Sequence, residues 1–175
     1  MKILNVGLIG AGLIGSRRAG IVAADKSSKM VAIADPDAAC AGRLAGQIGC
    51  EACSDGMTVA RRKDIDAVIV ATPHQFLPVY TLAALKCGKH VLCEKPMGRN
   101  AGEVRKLVDA ARKSKVTLKP GFNHRYHPAI LTAHEMAKQG DIGRIFLMRC
   151  RYGHGGRPGY EREWRGNKNL AGGGE

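Results

Sequence analysis

Along the first 120 residues, short apolar runs alternate with segments of helical period. Ile3 to Ile9 reads as a strand and Leu13 to Ala24 as a helix; Met30 to Ala34 and Ala38 to Ile48 repeat the pair. A weak third strand, Glu51 to Ser54, precedes a short helix around Thr58 to Arg62. Ala67 to Ala71 is a continuous apolar strand, followed by a helix from Pro78 to Cys87 and a fifth strand from His90 to Cys93. Asn100 with Glu103 marks another helix start, and Val104, Leu107, Val108 and Ala111 recur at i, i+3, i+4 and i+7. Val116 to Leu118 closes the series as a sixth strand. Strands that alternate with helices and are apolar on both faces predict an α/β fold, a doubly wound parallel sheet of Rossmann type.

The pattern changes after residue 120. A helix is expected to begin at Pro128, with Ile130, Ala133 and Ala137 on its apolar face and Gly140 as its end cap. Ile145 to Tyr152 then alternates, with Phe146, Met148, Cys150 and Tyr152 on one side and Arg149 and Arg151 on the other, the period of a half-buried strand in a one-sided sheet. One such strand is not a stable sheet by itself. The division expected is therefore a first domain over 1–121 and, over 122–175, the incomplete start of a second domain with a one-sided sheet.

Length and composition fit an ordinary globular chain: 175 residues, 45% apolar and 25% charged. No apolar run reaches membrane-spanning length, and the apolar N-terminus lacks a small-residue cleavage site, so a cytoplasmic protein is expected. The net charge of +13 raises the question of nucleic acid. The basic residues are dispersed, however, as in Arg105, Lys106, Arg112, Lys113 and Lys115, and aromatics are only 5%. With no stacking platform or zinc-finger spacing, a solvated face is the better reading, and no nucleic-acid partner is expected. The six cysteines read as reduced structural thiols, and no metal site is expected: Cys50 and Cys53 form a CxxC without a second pair or a nearby His.

Candidate chemistry gathers where strands end. Gly10-Ala11-Gly12-Leu13-Ile14-Gly15 is a GxGxxG between a strand and a helix, with Asp35 twenty residues after Gly15 at the end of the next strand. Gly10 permits the turn, Gly12 admits the pyrophosphate and Gly15 lets the helix pack closely. The helix N-terminus offers N–H donors to phosphate. Asp35 would accept from ribose hydroxyls and repel a 2′-phosphate. With Pro36 and Asp37 beside it, NAD rather than NADP is the expected cofactor. Lys95, at the end of the fifth strand between Glu94 and Pro96, is a candidate to stabilise negative charge on a substrate oxygen.

The segments GLIGAGLIG, ADPD, ATPH, GKHVLCEKP, GFNHRYHPA and IGRI, in this order, resemble the glucose–fructose oxidoreductase/inositol dehydrogenase (Gfo/Idh/MocA) family. The resemblance implies an NAD(P)-binding Rossmann domain over 1–121 and, over 122–175, the truncated start of an α/β domain with an open-faced antiparallel sheet. It implies an NAD-dependent oxidoreductase passing hydride to or from a secondary alcohol or carbonyl of a sugar, sugar nucleotide or cyclitol, with the longer form a homo-oligomer. It makes Lys95 the catalytic lysine, with a Lys95–Pro96 peptide that can be cis. It places Ala71, Thr72, Pro73 and His74 along the cofactor, Glu94 near the nicotinamide ribose, and Asn123 and Arg125 between cofactor and substrate. Lys95, Tyr126, His154, Trp164 and Arg165 become the candidate substrate contacts. The chain departs from the family's TPNxxH, having Leu77 at the usual His position. The family's Asp–His pair, spaced four apart, is expected downstream of Glu175, so residues 1–175 are expected to bind NAD without the catalytic His. The alternative is a non-catalytic NAD-binding module.

Overall fold

The computed structural model describes residues 2–153, 158–159 and 162–172. They form two compact units. The first comprises residues up to Gly121 together with 162–172, and the second runs from Phe122 through the described residues before 160.

In the first unit, β1 (Leu4–Ile9), α1 (Leu13–Ala24), β2 (Ser28–Ala34), α2 (Ala38–Ile48), β3 (Glu51–Cys53) and α3 (Gly56–Arg61) make one half. The other half is β4 (Ala67–Val70), α4 (Leu77–Lys86), β5 (His90–Cys93), α5 (Ala101–Ser114) and β6 (Leu118–Pro120). All five strand pairings are parallel, in the order β3-β2-β1-β4-β5-β6. Chain direction around the sheet reverses between β1 and β4, which opens a crevice at the carboxyl ends of those strands.

The two faces of the sheet carry separate cores, as strand periodicity requires. Leu8, Ile33 and Ile69 point into a core with Ala19 and Val22 of α1 and Leu44 of α2. Their neighbours Ile9, Ala34, Val68 and Val70 enter the opposite core with Val59, Leu77, Leu85 and Leu107, from α3, α4 and α5. Burial on both faces explains why these strands read as continuous apolar runs.

Several boundaries differ from the sequence expectation. Asp55 caps α3 by accepting from Met57 N–H, which starts that helix at Gly56, two residues before Thr58. The last strand is Leu118–Pro120 and not Val116–Leu118, because α5 ends on Lys115 in the left-handed region and Val116 N–H turns back to the Ala111 carbonyl. Pro120 is tolerated since β6 is an edge strand.

In the second unit, a 3-10 turn (Asn123–Tyr126) leads into α6 (Pro128–Gln139), with His127 accepting from Ala129 N–H and Gly140 at φ +85° closing it. No residue of α6 is buried. The strand expected over Ile145 to Tyr152 does not form: Phe146 is 94% and Met148 79% exposed. Among the described residues no backbone ladder pairs with it, so its alternation has no sheet on which to act. The described residues 162–172, which the boundary at 121 assigned to the second domain, pack with the first unit. They form a 3-10 turn (Trp164–Gly166) and α7 (Lys168–Ala171).

Candidate functional site

The residues singled out by their positions after strands are held together by backbone hydrogen bonds that extend the sheet past its last ladder pairs. Gly10 N–H donates to Ala34 O, Ala71 N–H to Ile9 O, Glu94 N–H to Val70 O and Gly121 N–H to Cys93 O, all at 2.8–2.9 Å. The loops after β1, β4, β5 and β6 thus form one continuous rim.

Within the glycine loop each glycine has a different reason. Gly10 adopts φ +100°, and a Cβ there would lie 2.5 Å from Ala71 O. A Cβ on Gly15 would come to 1.8 Å from Gly10 O, so the helix can approach its own loop only as glycine. At Gly12 a Cβ would meet nothing, and the space beside the loop is open. Gly12 is also the N-cap of α1 and supplies no side-chain cap, whereas Asp37, Asp55, Asn100 and His127 cap α2, α3, α5 and α6. The first N–H groups of α1, those of Leu13 and Ile14 among them, therefore face the open space without a side-chain acceptor. A pyrophosphate fits such a cradle in both space and charge.

Asp35 reaches back to this loop. Its Oδ2 accepts from Ala11 N–H at 2.8 Å and its Oδ1 from Asp37 N–H at 2.9 Å. Each oxygen keeps a further lone pair for a hydroxyl donor. Cys40, one turn into α2, donates its thiol to Ala11 O at 3.3 Å and braces the loop from the other side.

At the end of β5, Glu94 accepts from Arg18 Nε at 2.8 Å and Nη2 at 2.6 Å, both on Oε1. Arg18 escaped the sequence reading. The signal available was its place on the buried stripe of α1 with Gly15, Ala19 and Val22, where a charged side chain needs a partner. Lys95 follows on the exposed rim, and the Lys95–Pro96 peptide is cis.

Thr72 and Pro73 occupy the rim after β4, half-buried. His74 turns inward: it is buried, its Nδ1 donates to Ala171 O at 3.0 Å, and its ring meets Trp164 edge-on with centroids 4.6 Å apart. The carbonyl partner fixes the proton on Nδ1. Arg165 stacks over Trp164 at 4.4 Å, and Gln75 N–H donates to Leu170 O. His74, Trp164 and Arg165 are thus brought together beside the rim. Leu77, at the position where the family motif has His, is fully buried in the core of α4. A ring nitrogen there would have no water to meet.

Asn123, Arg125 and Tyr126 lie on the 3-10 turn of the second unit, where all three are exposed. His154 lies outside the described residues. Of the other histidines, His124 stacks edge-on against Tyr152 and His127 caps α6. Burial pushes the thiols of Cys50 and Cys53 up, with Glu51 adding repulsion, the reverse of what a redox CxxC needs. Among the described residues no three or more His, Cys, Asp or Glu stand together as a metal site, and no helix is long and apolar enough to cross a membrane.

Residues 4–122 match the family model described as "Oxidoreductase family, NAD-binding Rossmann fold" (Gfo/Idh/MocA). The chain is 33% identical to levoglucosan dehydrogenase of Pseudarthrobacter phenanthrenivorans over 99% of its own length and 47% of that protein. It is 34% identical to inositol 2-dehydrogenase of Rhizobium meliloti, over 83% of this chain and 44% of the relative. A solved levoglucosan dehydrogenase in complex with NADH superposes with a TM-score of 0.87 at 30% identity, covering 99% of this chain and 50% of that one. GenD2 from gentamicin A biosynthesis, in complex with NAD, gives 0.77 at 28% identity, covering 81% and 40%. The chain spans about half the length of the curated relatives it matches.

Proposed function

Since this chain belongs to the Gfo/Idh/MocA oxidoreductase family, with that family's NAD-binding Rossmann fold, we propose that residues 1–121 bind NAD(H) in the crevice between β1 and β4. We propose further that the longer protein of which this chain is the N-terminal portion oxidises or reduces a secondary alcohol or carbonyl of a sugar, sugar nucleotide or cyclitol. The observation that carries the reading is the uncapped N-terminus of α1, open beside Gly12 and bordered by the Asp35 carboxylate. Its relatives include levoglucosan and inositol dehydrogenases, which supports the substrate class.

Bound NAD supplies the hydride acceptor or donor. The chain's own residues do the rest. The α1 amides neutralise pyrophosphate charge, and Asp35 accepts from the adenosine ribose hydroxyls while disfavouring a 2′-phosphate. Glu94 accepts from the nicotinamide ribose. Lys95 stands on the rim beside it, where its ammonium can hydrogen-bond the reacting oxygen and stabilise negative charge developing there. Thr72, Pro73 and the buried His74 shape the wall behind, with Trp164 and Arg165 bordering the substrate side. The family resemblance proposes Asn123 and Arg125 as further cofactor contacts and Tyr126 as a substrate contact. The resemblance puts the proton-moving histidine downstream of Glu175, so turnover is proposed for the longer protein and cofactor binding for residues 1–175. The six cysteines stand as free thiols, which supports a reducing, cytoplasmic setting.

Fluorescence titration of this chain with NADH tests the reading. Saturable binding, competed by NAD and more weakly by NADP, is expected. A chain that leaves NADH emission unchanged at millimolar concentration overturns it.

A further inference from the structure

Arg18 and Glu94 come from opposite sides of the point where the sheet reverses: Arg18 from the helix after β1, Glu94 from the end of β5, beyond β4. Their ion pair therefore bridges the crevice's two halves. It is largely withdrawn from water, with side chains 23% and 12% exposed. Its geometry is asymmetric. Both guanidinium donors go to Oε1, while Oε2 carries one long contact, 3.4 Å from Lys95 N–H. The carboxylate also lies against Gly121, where a Cβ would sit 2.7 Å from Oε2, so glycine is what gives it room.

We propose that Arg18 is a positioning residue for the cofactor: by holding Glu94 Oε1 with two donors it anchors that oxygen on the α1 side and leaves Oε2 to accept a nicotinamide-ribose hydroxyl. The inference rests on the dinucleotide reading of the crevice. An unpaired carboxylate this far from water would rotate toward whatever donor it could find, and Lys95 N–H is the nearest. Two charge-assisted bonds converging on Oε1 suppress that alternative, and arginine presents both donors from one rigid plane.

The test compares two probes on the 175-residue chain, NADH and ADP, the second lacking the nicotinamide ribose. Arg18→Met is expected to weaken NADH about tenfold, the value of one charge-assisted hydrogen bond, and to leave ADP unchanged. Arg18→Lys, which keeps the charge on a single nitrogen without the planar pair of donors, should fall between. Glu94→Gln should weaken NADH likewise, and the double variant R18M/E94Q should be no weaker than E94Q alone. That last comparison also serves if R18M alone fails to fold, because the double variant holds no unpaired charge. Equal loss of NADH and ADP would make Arg18 a pyrophosphate or folding residue and overturn the proposal. So would R18M binding NADH as the wild type does, or additive losses in the double variant. A wild-type chain that binds neither probe overturns the dinucleotide reading, and this inference with it.

Discussion

The Asp35 carboxylate accepts the Ala11 N–H at 2.8 Å, so the side chain assigned to the ribose also closes the glycine loop. Its other oxygen takes Asp37 N–H, at the start of α2. One residue thus couples the phosphate cradle, the ribose site and the helix that follows. Asp35→Asn keeps an acceptor for only one of the two amides, and Asp35→Ala for neither. Asp35→Ala should weaken NADH at least about tenfold, cost about 1–3 kcal/mol of stability through the orphaned amide of the buried Ala11, and narrow the preference over NADPH. Paired NADH and NADPH titrations with a thermal melt check all three. Unchanged NADH affinity would remove Asp35 from the ribose site.

Two glycines of the same loop should fail in opposite ways. Gly12→Ala places its Cβ in open space at φ −68°, an ordinary backbone conformation, so folding should survive while NADH affinity falls sharply. Gly15→Ala drives a Cβ to 1.8 Å from Gly10 O, and the helix must lift from its loop. It should cost about 3 kcal/mol or more and lower Tm by roughly 10 °C. A Gly12→Ala chain that melts as low as Gly15→Ala would show that the cradle is structural and not a ligand site.

The same contrasts separate what local sequence carries from what only the fold supplies. The central strands were legible because residues such as Leu8 and Ile9, or Ile69 and Val70, enter different cores, which leaves an unbroken apolar run. The glycine motif and Asp35 were legible because their spacing is local to one βαβ unit. The Arg18–Glu94 pair was not, because its partners lie 76 residues apart and neither flanking pattern names the other. The packing of 162–172 onto His74 and Arg99 escaped for the same reason, since a single short turn carries no period to place it. The apolar alternation at 146–152 is real, but a strand exists only as a pair, and no periodicity within one segment supplies its partner.

Cys93 is fully buried at the end of β5, and burial pushes its thiol up to about 11. Thiolate is the reactive form, so at pH 8 a thiol reagent should label the exposed Cys87 and Cys150 quickly and leave Cys93 untouched until the protein unfolds. The same shift has a stability sign. The folded state holds this proton more tightly than the unfolded chain, so its contribution is complete below the ordinary value of 9.0 and is lost as pH rises toward about 11. Cys93→Ala should flatten that alkaline loss. Rapid native labelling of Cys93 would contradict its burial.

Glu103 links the first turn of α5 to the segment that packs on the rim. Its Oε2 accepts Arg99 N–H at 2.7 Å and its Oε1 the Arg99 guanidinium, while Arg99 Nη1 donates to Asn169 O at 3.0 Å. The Arg99 hydrogen bonds hold the Glu103 carboxyl below its ordinary value of 4.5. A depressed folded pKa favours folding wherever the unfolded chain binds more protons. The contribution is therefore present above about pH 4.5 and disappears as pH falls through the lower folded value. Glu103→Gln should lower stability at neutral pH, where the carboxylate's contribution is complete, and flatten the acid limb of the stability profile. Trp164 is the chain's single tryptophan and stacks on His74, so its emission reports the same segment directly. In Glu103→Gln the emission should shift red at neutral pH, because Arg99 no longer holds Asn169 as firmly; an unshifted spectrum with an unchanged acid limb would show that Glu103 does not anchor the segment.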